Sequence, residues 1–127
     1  MHDGNLYEYA IVRYVPRIER EEFINVGLAM MCKRKRWIRL EIKLSEDRLA
    51  AFSPLHTTET LRNQLNAFRM IADGDSAAGP VAGYPVEERF RWLTAAKSAC
   101  IQTSRPHPGI ADNLDSTFDR LFTELVE

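Results

Sequence analysis

FINVGLAMMC, residues 23–32, is the stretch on which the fold turns. Ile24, Val26, Leu28, Met30 and Cys32 occupy alternate positions, so an extended strand brings all five to one face, and that face belongs in a core. Asn25 and Gly27 then fall on the opposite face. A glycine inside a strand marks a bulge or the close approach of another backbone or a ligand. The Asn25 side is therefore the first place to look for a site.

Upstream, Leu6 to Val15 is rich in Tyr, Ile and Val and stops at Pro16. It reads as a strand with apolar residues on both faces, which places it inside a sheet. Downstream, Lys33 to Arg36 forms a charged hairpin tip. It leads into WIRLEI, residues 37–42, where Ile38, Leu40 and Ile42 alternate with Trp37, Arg39 and Glu41. Three consecutive antiparallel strands result.

The remainder is mostly helical. Ser45 caps a short helix running to Phe52, before Pro54. From Thr58 to about Asp73 the residues Leu61, Leu65, Phe68 and Ile71 recur at helical spacing, and Gly74 stops the run. Gly74 to Tyr84 has no period and reads as a mobile loop. Pro85 opens a helix that carries Val86, Phe90 and Leu93 and ends near Ala96. SACIQTS, residues 98–104, suits a strand and RPHPG, residues 105–109, a turn. Leu114, Phe118, Leu121, Phe122 and Leu125 form the face of a closing amphipathic helix. The expected fold is α+β: a mainly antiparallel sheet of three N-terminal strands plus one later strand, with helices packed on one side. Parallel α/β folds fit poorly, because their strands alternate with helices.

At 127 residues the chain suits a single domain spanning 1–127. It is 45% hydrophobic and 28% charged with net charge -1, too balanced for a dedicated polyanion binder. No apolar run approaches the ~20 residues of a membrane helix. MHDGNLYEY lacks the regions of a signal peptide, so a cytoplasmic location is expected. Cys32 and Cys100 read as reduced core residues, and their spacing gives no metal motif.

Three constellations carry candidate chemistry. Lys33, Arg34, Lys35 and Arg36 beside Trp37 can meet phosphates while the indole stacks on a base; equally, a charged tip discourages edge-to-edge pairing. Arg13, Asn25, Gly27, Trp37 and Arg39 share the second face of the sheet as a polar recognition surface, unless helices cover it. In RFRWLTAAKSACIQTSRPHPG, residues 89–109, Arg89 and Trp92 are neighbours on a helix surface, and the hydroxyls of Thr94, Ser98, Thr103 and Ser104 follow, with Gln102 and His107, as candidate lining of an anion groove. Plain alternation of strand faces explains the same hydroxyl pattern. A Ser104/His107 hydrolase, with Asp112 as orienter, lacks a glycine-framed nucleophile. No metal spacing, phosphate-cradling glycine loop or dinucleotide fingerprint is present, so neither metal nor cofactor is expected. The candidates are thus Arg13, Asn25, Gly27, Arg89, Gln102, Ser104 and His107 for a ligand or protein partner, with Lys33 to Trp37 as the nucleic-acid alternative.

Two separated motifs also carry a resemblance. The first comprises Tyr9, Arg13, Tyr14, Pro16, Glu22, Phe23, Asn25, Val26 and Gly27. The second comprises Arg89, Phe90, Trp92, Leu93, Thr94, Gln102, Ser104, His107 and Gly109, followed by the terminal LDSTFDRLFTELV helix. Together they resemble the bacterial domain of unknown function 3037 family. Ala96 and Arg105 stand where many members carry prolines. The resemblance brings no activity or catalytic residues. It implies a gene neighbourhood shared with a HipA-like kinase, and hence an accessory, regulatory or antitoxin-like partner of that kinase.

Overall fold

In the computed structural model, which describes residues 4–51, 57–95 and 100–127, β1 (Asn5–Tyr14) is the central strand of a five-stranded antiparallel sheet. On one side it pairs with β2 (Ile24–Cys32), which pairs in turn with β3 (Trp37–Ile42). Along its other side lie β4 (Ile101–Thr103) against Val12 to Tyr14 and β5 (His107–Ala111) against Asn5 to Tyr9. The expected strands and the α+β class are present. RPHPG is corrected: it does not remain a turn, because His107 continues into β5. Pro106 and Pro108 have no N–H to offer, which an edge position tolerates and which blunts that edge against further pairing.

Four helices follow the expected order. α1 (Glu46–Ala51) begins after Ser45, whose Oγ accepts from the Arg48 N–H at 3.4 Å. α2 (Thr58–Asp73) has Thr57 as N-cap, its hydroxyl accepting from the Thr60 N–H at 3.1 Å. Gly74 ends α2 in the left-handed conformation, at φ 73°. α3 (Val86–Thr94) starts behind Pro85, and α4 (Leu114–Leu125) starts at Asn113, whose Oδ1 accepts from the Ser116 N–H at 3.0 Å. The expected helix ends at Phe52 and Ala96, and the strand start at Ser98, lie outside the described residues. Between α2 and α3 the expected mobile loop is instead two short 3-10 turns, Ser76–Ala78 and Pro80–Gly83. Ala82 is buried there, and Ala78 and Val81 pack on the core.

The layering differs from helices on one side. α1, α2 and α3 cover one face of the sheet through Leu49, Leu61, Leu65, Ile71, Phe90 and Leu93, set against Ala10, Val12, Tyr14 and Leu40. α4 packs on the other face, where Leu114, Phe118 and Leu121 meet Leu28, Met30 and Cys32. The physical reason lies in β2. Val12 pairs with Gly27 while Arg13 pairs with Asn25, so Val26 is an extra residue, a bulge. Ile24 and Val26 belong to the α1–α3 core, but after the bulge Leu28, Met30 and Cys32 turn to α4 while Ala29 and Met31 take their place. The five alternating apolar residues thus divide between two cores. A β-carbon on Gly27 would lie 2.8 Å from the Glu41 carbonyl oxygen and 3.3 Å from Val12 Cβ, so a side chain has no room there.

Polar contacts hold α4 in place. Arg39 of β3 bridges to Asp115 and Asp119, each at 3.1 Å, and its guanidinium lies 4.3 Å over the Phe118 ring. Asn25 Nδ2 donates to the Leu125 carbonyl at 3.0 Å, and Arg48 Nη1 donates to the Val126 carbonyl at 2.6 Å. Among the described residues no helix is long and apolar enough to cross a membrane.

Candidate functional site

The polar face anticipated from the sequence is split by α4. Trp37 and Arg39 lie beneath that helix, the indole edge-on to Phe118 with ring centroids 6.4 Å apart. The base-stacking role expected of Trp37 thus competes with a packing role. Beyond α4, on β1, β4 and β5, the same face carries Tyr9, Ile11, Arg13 and Gln102, all part-exposed, and His107, which is exposed. Register places Gln102, Arg13 and Asn25 side by side across β4, β1 and β2. Four residues back along β1, past Ile11, His107 pairs with Tyr9, and their rings stack at 5.2 Å. Residues from the two sequence motifs therefore meet in one patch, Arg13 beside Gln102 and Tyr9 beside His107.

Arg13 is its centre. Its guanidinium lies 4.1 Å from the ring centroid of Phe23, a residue that is 43% exposed. Burial lowers the Arg13 pKa from its ordinary value, because desolvation disfavours the charged form. Arg13 Nε is buried without a hydrogen-bond partner, and so is the Oδ1 of its cross-strand neighbour Asn25. A donor and an acceptor left unsatisfied side by side are exceptional, since buried polar groups normally find partners and an orphan costs about 1–3 kcal/mol.

The other candidates separate from this patch or have structural work. Gly27 pairs with Val12 and faces the α1–α3 side, so it is no part of the Asn25 surface. Arg89 lies on α3 and closes the end of α2, with Nε donating to the Tyr84 carbonyl at 2.8 Å and Nη1 to the Ala72 carbonyl at 2.9 Å. Ser104 joins β4 to β5. Its N–H donates to the Ile11 carbonyl, and its hydroxyl accepts from the Ile11 N–H, both at 2.8 Å. The hydroxyl also donates to the Arg105 carbonyl at 3.1 Å. These bonds bridge a second bulge, where Arg105 and Pro106 together oppose Ala10. The nucleophile suggested for a hydrolase is thus bonded to backbone at the join of two strands. Gly109 is explained by Tyr7, whose ring occupies the space a β-carbon would need.

Lys33, Arg34, Lys35 and Arg36 are exposed at the β2–β3 turn, closed by the Arg36 N–H donating to the Lys33 carbonyl at 3.1 Å. Arg36 takes φ 51°, a left-handed conformation that costs a non-glycine residue roughly 1–2 kcal/mol. Lys33 and Arg36 lie on the wall of a cavity of about 580 Å³ that also includes Tyr84, Pro85, Glu87 and Arg89. Sequence reasoning found both arginines and missed Tyr84, because nothing local signals that the turn before α3 meets the hairpin. It also missed Phe23 as the ring over Arg13, since that contact depends on the pairing of β1 with the bulged β2.

A family model described as "Protein of unknown function (DUF3037)" matches residues 9–126. The chain belongs to the DUF3037 family. No curated protein and no solved structure matches it. The family match covers the residues of both the Arg13 patch and the Ser104 join.

Proposed function

We propose that this DUF3037 chain is a non-enzymatic interaction domain that takes up a protein partner on the open part of its α4-side sheet face. The observation that carries the reading is the orphaned pair of Arg13 Nε and Asn25 Oδ1, with the exposed Phe23 ring over the Arg13 guanidinium. One peptide group of a partner backbone offers a carbonyl to the first and an N–H to the second. The Phe23 ring lies over the Arg13 guanidinium, so it moves aside when the partner seats. An exposed cation–π contact of about 0.5–1 kcal/mol is then exchanged for a hydrogen bond to a charged donor, about 1.5–3 kcal/mol. Gln102 flanks the pair, and His107 on Tyr9 extends the surface.

The partner suggested by the gene neighbourhood that the family resemblance implies is a HipA-like kinase, with this chain as its regulatory or antitoxin-like companion. Co-expression of the tagged chain with that kinase tests the reading. The expected result is capture of the kinase by the wild type and its loss in Arg13→Met and Phe23→Ala, with all three proteins equally folded by circular dichroism. A wild-type chain that stays free of the kinase removes that partner. Equal capture by the two variants removes the surface.

The backbone bonds of Ser104 support a binding role over the hydrolase alternative. The nucleic-acid or nucleotide alternative draws its support from the Lys33 and Arg36 wall.

A further inference from the structure

The hairpin cavity lies apart from the Arg13 surface: Lys33 and Arg36 extend from the β2–β3 turn, while Tyr84, Glu87 and Arg89 come from the start of α3. We infer that this cavity is a binding site for a nucleoside phosphate, with Lys33 and Arg36 holding the phosphates and the Tyr84 ring stacking on the base.

Four observations meet there. The first is size: about 580 Å³ falls within the range of small-molecule sites. The second is charge. Three cationic side chains face one carboxylate, Glu87, in a protein whose overall net charge is -1, so positive potential is concentrated at this wall. The third is the aromatic. Tyr84 is 45% exposed and lines the same space, a ring left available for stacking. The fourth is backbone strain. Arg36 occupies a left-handed turn position that glycine fills without cost, so the turn carries a cation at the expense of its own stability. Arg89 adds charge from a fixed place, because its Nε and Nη1 are held by carbonyls of Tyr84, Ala72 and Ile71. Trp37 has no part in this site, since its indole packs with α4 on the other face.

Calorimetric titration of the full chain with ATP, inorganic tripolyphosphate and adenosine tests the assignment. ATP should saturate one site, tripolyphosphate should bind more weakly and adenosine weakest. The double variant Lys33→Ala/Arg36→Gly should lose about tenfold or more in ATP affinity, the equivalent of one charge-assisted hydrogen bond. Its melting temperature should stay level or rise, because glycine relieves the turn. Tyr84→Ala should weaken ATP by about tenfold while sparing tripolyphosphate. The site is overturned if ATP does not saturate, if the double variant binds ATP as the wild type does, or if adenosine binds as tightly as ATP. Equal affinity for ATP and tripolyphosphate, unchanged by Tyr84→Ala, overturns the nucleoside part and leaves a bare anion site.

Discussion

The two faces of one sheet are finished differently. Against α1, α2 and α3, the side chains of Val12, Tyr14, Leu40, Leu65 and Phe90 are almost wholly withdrawn from water. On the other face α4 closes the β2–β3 half with Phe118, fastened by Arg39, and leaves Arg13, Gln102 and His107 at its margin. The first face holds the fold together through apolar burial. The second accepts two unsatisfied polar atoms, one of them on a guanidinium under a half-exposed phenylalanine, a cost that a purely structural surface has no reason to carry. On the proposed reading, the closed face serves stability and the open margin of the other face serves recognition.

That contrast can be broken by substitution, and the largest effect belongs to the closed face. Phe90→Ala empties a position that is 1% exposed, so urea denaturation should show a loss of about 4 kcal/mol. A loss below about 1 kcal/mol would mean that this face is not the principal core. Next is the bulge that divides β2 between the cores. Gly27→Ala pushes a methyl toward the Glu41 carbonyl and Val12, and equilibrium unfolding should register about 2 kcal/mol of destabilisation. Ser104→Ala removes the acceptor of the Ile11 N–H and should cost about 1–2 kcal/mol, with amide exchange accelerated at Ile11. A variant that retains slow exchange at Ile11 would show that the join of β4 and β5 does not depend on the hydroxyl. The smallest change in stability belongs to the recognition side. Arg13→Met keeps the aliphatic stem and removes a cation whose Nε has no partner, so stability should move by no more than about 0.5 kcal/mol while partner capture is lost. A loss of several kcal/mol would instead make Arg13 a structural residue and erase the contrast between the faces.

Local signals carried much of the architecture. The spacing of Leu61, Leu65, Phe68 and Ile71, with Gly74 as the stop, marks α2, because helical periodicity and caps act within a few positions, while the Thr57 N-cap emerged only in the structure. WIRLEI likewise matches β3. The face of α4 was legible in Leu114, Phe118 and Leu121, but its destination was not, since an amphipathic stripe says that a helix is covered and not by which face of the sheet. β5 was missed for a similar reason. His107 to Ala111 has weak strand propensity and pairs because the first half of β1 needs a neighbour. In the candidate site, Arg13, Asn25, Gln102 and His107 were identifiable as chemistry, and their meeting followed from strand register.

By itself the sequence determined the elements: a tyrosine-rich inner strand, a charged hairpin, capped amphipathic helices and two family motifs. Periodicity, caps and turns are local, so they are written in neighbouring residues. Tertiary structure alone decided which apolar residues of FINVGLAMMC face which core. One extra residue at Val26 reverses the alternation of everything beyond it, and a bulge exists only relative to the strand it is paired with.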